Sequence, residues 1–485
     1  MNLLPASSPA AQGVLAERVE AFLDALGSAP EVEPHSLMVL RHGYVVAAGW
    51  WRPYTADRPH LLYSLSKIFT ATAVGLAVGE GLVGLDDPVV SYFPELASRV
   101  TDRRARSMLV RHLASMATGH TEDTSGRVFG TGDEDPVLNF LLVPPEREPG
   151  SVFAYNQPAT YTLAAIVQRA TGESLVRYLR RRLFDKLGAS ELSWLQSPPG
   201  RDIGYSGLYA TTEAVALLGQ LYLQGGEWHG EQLLARSWVT EATRAQVPTG
   251  IGDASGDGAL GYGYQFWMSQ HGYRGDGAYG QYCLVLPDED AVVAMTAQTR
   301  SAGRPDMQTV LTMVWDKLLP AFAADTVVDN GADEALRGRL DGLCLPALGG
   351  RASPPRDGVG WAGATFLPEG GSCTAQPSLK AVEVRAGEQG WRIALCEDGS
   401  ELHGPFIGDG WSVTEGASSG GGTVPVACSG AWTGAATLRV DVIFLETPHR
   451  LSVTCHLPER TFDARWHSHP AHASFLRNLH APAPT

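Results

Sequence analysis

The chain has 485 residues, 44% of them hydrophobic and 18% charged, so it is long enough for two or more domains and apolar enough to bury a large core. The net charge of -15 and the pI near 5.4 argue against binding to nucleic acid or an anionic membrane, since both need a basic surface. We therefore expect no nucleic-acid partner and no membrane partner.

The N-terminal residues lack a basic segment followed by an apolar run, and Gly, Glu or Asp interrupts every long apolar stretch. This pattern predicts a cytoplasmic protein with no secretion signal and no spanning helix. Six cysteines are scattered without a C-x-x-C pair, which favours buried thiols over disulfides and predicts no zinc site. A bridge between Cys428 and Cys455 remains an open alternative.

The N-terminal part of the chain predicts a mixed α/β unit. Apolar residues recur at helical spacing over 14–27, and two β-rich runs then surround His42-Gly43, a hairpin signal. The stretch "YSLSKIFTATAVGLAVGEGL", residues 63–82, follows as a buried helix of small and aliphatic residues. Helical patterns that end at or near glycine dominate from 86 to 223.

Strand patterns return over 261–299, with two β-runs around a Pro-Asp turn, and a last helix near 307–322 is expected to pack on that sheet. Strands thus flank a helical insertion, and residues 1–321 are predicted to form one domain. Residues 322–360 are rich in Ala, Gly, Pro and Asp and are predicted as a linker. Short β-runs separated by turn signals over 361–485 predict a small all-β domain, either a barrel or a sandwich.

Ser64 and Lys67 stand at the start of this buried helix, where an ammonium group is costly unless it is paired or neutral. Their three-residue spacing places both side chains on one helix face. A desolvated lysine with a lowered pKa could take the serine proton and so activate a nucleophile. The structural alternative makes Ser64 an N-cap and extends Lys67 to solvent. Ser66 points away from Lys67 and is the weaker nucleophile candidate.

Further segments share the order and character of one enzyme family. "YSLSKIFTATAVGLAVGEGLVGLDDPVVSYFPEL", "VRHLASMATGH" and "PGSVFAYNQPATYTLAAIVQRATGESLVRYLRRRLF" resemble serine hydrolases of the β-lactamase and penicillin-binding-protein superfamily, especially class C β-lactamase-like esterases and peptidases. The resemblance covers roughly residues 15 to 320. It implies an α+β, β-lactamase/transpeptidase-like fold, an antiparallel sheet flanked by helices with a helical subdomain, followed by the C-terminal β-domain.

The resemblance also implies a role for each motif residue. Tyr155 matches the tyrosine of the family's Tyr-x-Asn motif, which helps to deprotonate the serine and to protonate the leaving group. Gln157 replaces the motif asparagine and Asn156 lies one place early, so either amide could face the site. A lone tyrosine would otherwise be read as a buried core residue.

The family's third motif, a basic triplet on an edge strand, corresponds to Asp276-Gly277-Ala278 in "GDGAYG". A carboxylate at this place should repel the substrate carboxylate of penicillins, which favours neutral or cationic esters and amides. The resemblance implies an oxyanion hole formed by the backbone N–H groups of Ser64 and Tyr279. The structural alternative for this stretch is a glycine-rich turn.

Other candidates are less specific. His120 lies where it could line the pocket, although a solvated loop histidine fits equally. The stretch "WHSHPAH" brings three histidines together without an acidic or cysteine partner, so no metal is assigned. We predict a serine hydrolase that acts on a small ester or amide and needs no cofactor. An acyltransferase with the same acyl-enzyme, a non-catalytic binding protein, and a carbohydrate- or partner-binding role for the β-domain remain alternatives. The oligomeric state is not predicted.

Overall fold

The computed structural model describes most of the chain, namely residues 4–130, 135–189, 191–250, 256–322, 327–328, 330–355, 360–387, 390–406, 408, 410–416, 423–472 and 474–483. Within these ranges, no helix is long and apolar enough to cross a bilayer.

A six-stranded antiparallel sheet forms the centre of the N-terminal part, with the strand order β2-β1-β6-β5-β4-β3. Its strands are β1 (Val32–Arg41), β2 (Tyr44–Trp50), β3 (Trp267–Ser269), β4 (Gly272–Gly277), β5 (Gln281–Leu286) and β6 (Ala291–Thr299). The predicted hairpin is confirmed, because His42 and Gly43 both adopt the positive φ that a tight β1–β2 turn requires.

Both faces of this sheet are covered, and side chains along β1 alternate between two cores. Leu37 and Val39 face the helices α1, α12 and α13, whereas Met38 and Leu40 face α2 and α10. The helices are α1 (Ala16–Ser28), α2 (Ser66–Gly79), α3 (Arg103–Ser107), α4 (Val110–Ala114), α5 (Ser125–Val128), α6 (Pro136–Leu142), α7 (Gln157–Thr171), α8 (Leu175–Leu179), α9 (Asp185–Leu187), α10 (Thr212–Leu223), α11 (Arg236–Ala242), α12 (Arg304–Met313) and α13 (Ala332–Asp341).

The helical insertion lies between β2 and β3 and packs against α2. Helix α7 contacts α2, α4 and α6, and Gly204 approaches the methyl group of Ala164 in α7 so closely that a Cβ there would lie 2.3 Å from it. The predicted order of strands, helical insertion and strands is therefore confirmed.

The segment predicted as a linker contains α13, whose Leu336 and Leu340 pack into the core beside α1 and β2. Leu345 N donates to Arg52 O at 2.8 Å, and Arg52 N donates to Leu343 O at 3.2 Å. The described part of residues 322–360 is thus bound to the N-terminal sheet rather than extended between domains.

Over its described residues, the C-terminal β-domain has nine strands in the order β10-β9-β8-β7-β15-β14-β13-β12-β11. They are β7 (Ala364–Pro368), β8 (Leu379–Gly387), β9 (Gly390–Glu397), β10 (Ser400–Phe406), β11 (Ser412–Thr414), β12 (Val426–Trp432), β13 (Thr437–Phe444), β14 (His449–His456) and β15 (Thr461–Trp466). The sheet curls so that Gly404 in β10 meets Cys428 in β12, which closes it into a barrel-like form around one core. All six cysteines are free thiols.

The β-domain packs directly on the N-terminal part. Arg450 of β14 pairs with Glu33 of β1 at 2.9 Å, and Tyr54 donates to Thr447 O at 3.1 Å. Ile443 and Leu445 join the apolar core beneath α1. This buried interface brings the C-terminal residues close to the turn that carries Ser64.

Candidate active site

A 3-10 turn, Tyr63–Leu65, leads directly into α2 and places Ser64 at the beginning of the buried helix. Lys67 Nζ donates to Ser64 Oγ at 3.1 Å, as their spacing predicts. Lys67 is only 1% exposed, so the alternative in which it extends to solvent is wrong.

Two further oxygens hold the ammonium group. Lys67 Nζ donates to Gln157 Oε1 at 2.7 Å and to the backbone O of Tyr205 at 2.8 Å. Burial lowers the pKa of Lys67 from 10.5 to about 7, while the carboxylates of Asp276 and Asp123 act against this shift. Near neutral pH this lysine is therefore both neutral and protonated in comparable amounts, which suits a group that takes and returns a proton.

Ser66 has a structural role. Its hydroxyl donates to Tyr63 O at 2.6 Å and accepts from Leu208 N at 3.0 Å, which fixes the turn on the neighbouring strand Leu208–Ala210. Both hydrogen-bonding functions of this side chain are thus occupied away from Lys67.

Tyr155 and Gln157 lie on the same side of the site as Lys67. Lys67 Nζ is 4.7 Å from the centroid of the Tyr155 ring, which stacks on Trp267 with a centroid separation of 5.4 Å. Gln157 is the first residue of α7, and its amide oxygen reaches Lys67. Asn156 is fully buried and faces away, because its Oδ1 accepts from Thr124 N and Oγ1.

The end of strand β4 passes very close to the nucleophile turn. A Cβ at Gly277 would lie 2.1 Å from Leu62 O and 3.0 Å from Leu65 N, so no larger residue fits without moving backbone. The same strand carries Asp276, whose Oδ2 accepts from Arg274 Nε at 2.9 Å. The carboxylate of Asp276 is consequently not an isolated negative charge, which corrects the expectation that it alone would repel anionic substrates.

Arg274 is itself held firmly. It is 4% exposed and also donates from Nη1 to Met268 O at 2.8 Å and to Ser269 Oγ at 2.7 Å. A guanidinium and a carboxylate thus form one rigid polar surface at this end of the site.

A cavity of about 980 Å³ opens in front of Ser64. Its polar wall includes the side chains of Tyr155, Gln157, Arg274 and Asp276 and the backbone of residues 277–278. Trp267, Ala302 and residues of α12 also line the cavity, and the α12 residues include the apolar Pro305, Met307, Leu311 and Met313 and the polar Gln308, Thr309 and Thr312. The volume suits a small organic substrate rather than a folded protein.

Four of the predicted site residues, Lys67, Asn156, Tyr279 and His120, do not line this cavity. Tyr279 is 8% exposed and its hydroxyl donates to His469 O at 2.7 Å. His120 is fully buried, with Nδ1 bonded to Thr118 Oγ1 at 2.9 Å and Nε2 to Val143 O at 3.0 Å. His120 is therefore a satisfied core histidine, neither a pocket residue nor a solvated one.

The three histidines of "WHSHPAH" diverge. His467 bonds to Ser452 Oγ, His469 Nδ1 to Pro470 O, and His472 Nε2 to Ser206 Oγ at 2.7 Å. Over the part of the chain that the structure describes, no cluster of three acidic, histidine or cysteine side chains could hold a metal ion.

Four residues near the site were missed by the reasoning from sequence. Arg274 could have been found, because residues i and i+2 of a strand share a face and Asp276 was already a candidate. The Tyr205 carbonyl is a backbone group that any residue could supply. His449 and His472 come from the far end of the chain, and only the fold brings them close to Tyr63.

Comparison with known proteins identifies related proteins. A family model described as Beta-lactamase matches residues 16–314, more than half of the chain. The 6-aminohexanoate-dimer hydrolase of Paenarthrobacter ureafaciens is 27% identical over 279 residues, which cover 53% of this chain and 71% of that protein. Esterase EstB of Burkholderia gladioli is 27% identical over 212 residues, 39% of this chain and 53% of the esterase.

One solved structure, a penicillin-binding protein homologue from Caulobacter crescentus, has a TM-score of 0.51 and 17% identity, and the match covers 64% of this chain and 98% of that one. This likeness concerns the fold alone.

Proposed function

This chain belongs to the beta-lactamase family and is a serine hydrolase of that family, and we propose that it cleaves an ester or amide through an acyl-enzyme on Ser64. One observation carries the proposal: a buried lysine whose pKa lies near 7 contacts the hydroxyl of Ser64. A lone serine at neutral pH is a weak nucleophile, and an adjacent base of matched pKa activates it.

The proton moves between three groups. Neutral Lys67 accepts the hydroxyl proton while Ser64 Oγ attacks the substrate carbonyl carbon. The carbonyl reforms as the bond to the leaving alcohol or amine breaks, and the phenol of Tyr155 donates a proton to that group. Lys67 returns its proton to Tyr155, and water then attacks the acyl-enzyme by the same route in reverse. The amide of Gln157 keeps the amine of Lys67 directed at Ser64.

For the oxyanion hole we favour the N–H groups of Ser64 and Ala278, one residue earlier than the expected Tyr279. Two observations support this choice. Gly277 makes the close backbone approach to the nucleophile turn, and Ala278 lines the cavity whereas Tyr279 does not. Loss of one such donor typically lowers kcat by roughly 100- to 1000-fold.

The substrate class follows from the cavity walls. The α12 residues that line the cavity are uncharged, mostly apolar with three polar side chains, and the charges of Arg274 and Asp276 compensate each other. A neutral ester or amide with an apolar part meets both surfaces without leaving a buried charge unpaired. The names of the two relatives described above, a 6-aminohexanoate-dimer hydrolase and an esterase, are consistent with an amide or ester substrate.

A fluorophosphonate probe tests the nucleophile. We expect the wild-type protein to be labelled at Ser64, the Ser64→Ala variant to remain unlabelled, and the matched Ser66→Ala variant to keep a labelled serine. A wild-type protein that resists labelling, or label that persists in Ser64→Ala, would refute the assignment and favour a non-catalytic binding protein.

A panel of p-nitrophenyl esters, D-amino-acid amides and nitrocefin then identifies the substrate class. We expect turnover of esters or amides and little turnover of nitrocefin. Adding an alcohol or amine acceptor separates hydrolysis from acyl transfer, since transfer yields a new ester or amide in place of the free acid.

A further inference from the structure

Two tyrosines with left-handed backbones flank the reacting groups. Tyr63, which precedes Ser64, has φ = 48°, and Tyr279, which follows Ala278, has φ = 68°. Glycine adopts this conformation freely, whereas a bulky residue does so only where the surroundings impose it. Something must therefore hold both tyrosines in place.

The C-terminal β-domain holds the first of them. Tyr63 Oη lies 2.6 Å from Nε2 of His449, the first residue of β14. His449 Nδ1 lies 2.9 Å from the carbonyl oxygen of Ser468, which can only accept, so Nδ1 carries the proton and Nε2 is the acceptor. The Tyr63 hydroxyl is consequently the donor. Burial lowers the pKa of His449 to about 3, so the ring stays neutral and keeps this acceptor at ordinary pH.

The second tyrosine is held by the same domain. Tyr279 Oη donates to His469 O at 2.7 Å, and the Tyr279 ring packs edge-on against Tyr63 and His449 with centroid separations of 5.2 and 5.3 Å. His472 stacks on Tyr63 at 5.5 Å. The rings thus form one block between the β-domain and the nucleophile turn.

We propose that the β-domain is part of the catalytic apparatus, with His449 as a positioning residue that fixes the backbone of Tyr63 and so aims the Ser64 nucleophile and its N–H group. This inference rests on the proposed function, because it assigns a purpose to the geometry of Ser64. It gives the β-domain a role other than recruiting a carbohydrate or a protein partner.

A double-mutant cycle with a small p-nitrophenyl ester tests the inference. We expect His449→Ala to lower kcat by up to about 100-fold with little change in KM, since a displacement of about 1 Å near the reacting atoms has such an effect. Tyr63→Gly gives the backbone a residue that adopts positive φ without help. In the Tyr63→Gly background, His449→Ala should lower kcat by no more than about twofold, which is as small as the deviations found between residues that do not interact.

Three variants separate positioning from general destabilisation. His449→Gln places an amide oxygen near the position of Nε2 and should restore most of kcat. Tyr63→Phe keeps the packing but loses the hydroxyl, so it should lower kcat as much as His449→Ala does. If His449→Ala does not fold, Tyr63→Phe alone tests the positioning role. His456→Ala changes an exposed histidine of the same strand and should leave kcat unaltered. Near-UV circular dichroism checks that each variant is folded.

Equal losses from His449→Ala in both backgrounds, or no loss in folded Tyr63→Phe, would overturn the inference. The rate of fluorophosphonate labelling separates this failure from that of the proposed function. Unlabelled wild-type protein refutes the Ser64 acyl-enzyme, whereas wild type and His449→Ala that are labelled at equal rates refute only the positioning role.

Discussion

The activity of this protein should depend on pH through Lys67. The proposed mechanism needs the neutral amine, so kcat/KM should rise as pH increases through the pKa of Lys67 and level off above it. Burial is the main cause that lowers this pKa to about 7, and the carboxylates of Asp276 and Asp123 keep it from falling further.

The magnitude of the effect follows from the two pKa values. An ordinary value of 10.5 would leave roughly one Lys67 in 3000 neutral at pH 7, whereas a value of about 7 leaves about half of the molecules neutral. Below pH 7 we therefore expect kcat/KM to fall about tenfold per pH unit, with an apparent pKa near 7.

The assay is the pH profile of kcat/KM for a neutral p-nitrophenyl ester, whose own charge does not change over the range studied. Asp276→Asn should shift the acidic limb to lower pH, because it removes a carboxylate that favours the ammonium form and leaves Arg274 unpaired nearby. Asp185→Asn, a change to an exposed carboxylate of α9, is the matched control and should leave the limb in place. An acidic limb of the kcat/KM profile with its midpoint at pH 9 or above, or a midpoint that Asp276→Asn does not shift, would refute the role given to Lys67.

Four other changes have defined outcomes. Gly277→Ala should lower the free energy of unfolding by about 1–3 kcal/mol and abolish most activity, because its Cβ would meet Leu62 O at 2.1 Å. Gly338→Ala lies in α13 with open space around it and should raise the free energy of unfolding by about 0.5–1 kcal/mol. Urea titration measures both glycine variants. Tyr155→Phe should reduce kcat by roughly 100-fold or more and leave stability nearly unchanged, as stopped-flow and melting measurements can check. Lys67→Met removes a group whose pKa is lower in the folded chain than in the unfolded chain. Between pH 7 and 10.5 the unfolded wild-type chain binds more protons than the folded one. The free energy of unfolding of the wild type, relative to that of Lys67→Met, should therefore rise with pH in that window, by at most about 1.4 kcal/mol per pH unit.

The sequence was informative where the chemistry depends on neighbours along the chain. The spacing of Ser64 and Lys67 predicts their contact, and His42-Gly43 predicts the hairpin, because both signals lie within a few residues. The family resemblance added Tyr155 and the β4 segment. The resemblance also implies that the Tyr279 N–H belongs to the oxyanion hole, whereas Ala278 is the residue that lines the cavity. Neighbouring residues at the end of a strand point in different directions, so an alignment error of one position selects a different N–H group.

Contacts between distant parts of the chain could not be predicted. Nothing in the composition of β14 indicates that His449 meets Tyr63, 386 positions away. A left-handed tyrosine also gives no sequence signal, because φ depends on what holds the residue. The prediction that strand β4 repels anionic substrates rests on the carboxylate of Asp276 alone, although Arg274 on the same face compensates its charge.

The interface between the two parts also decides which experiment can reveal the purpose of the β-domain. Deletion of residues 350–485 would remove Arg450 from the buried carboxylate of Glu33 and uncover the core that Ile443 and Leu445 complete. Apolar surface that becomes exposed to water destabilises the remaining domain, so the truncated chain would lose activity whether or not the β-domain positions the nucleophile. A substitution such as His449→Gln keeps Arg450, Ile443 and Leu445 in place and changes the contacts of a single ring, which makes it the more informative test.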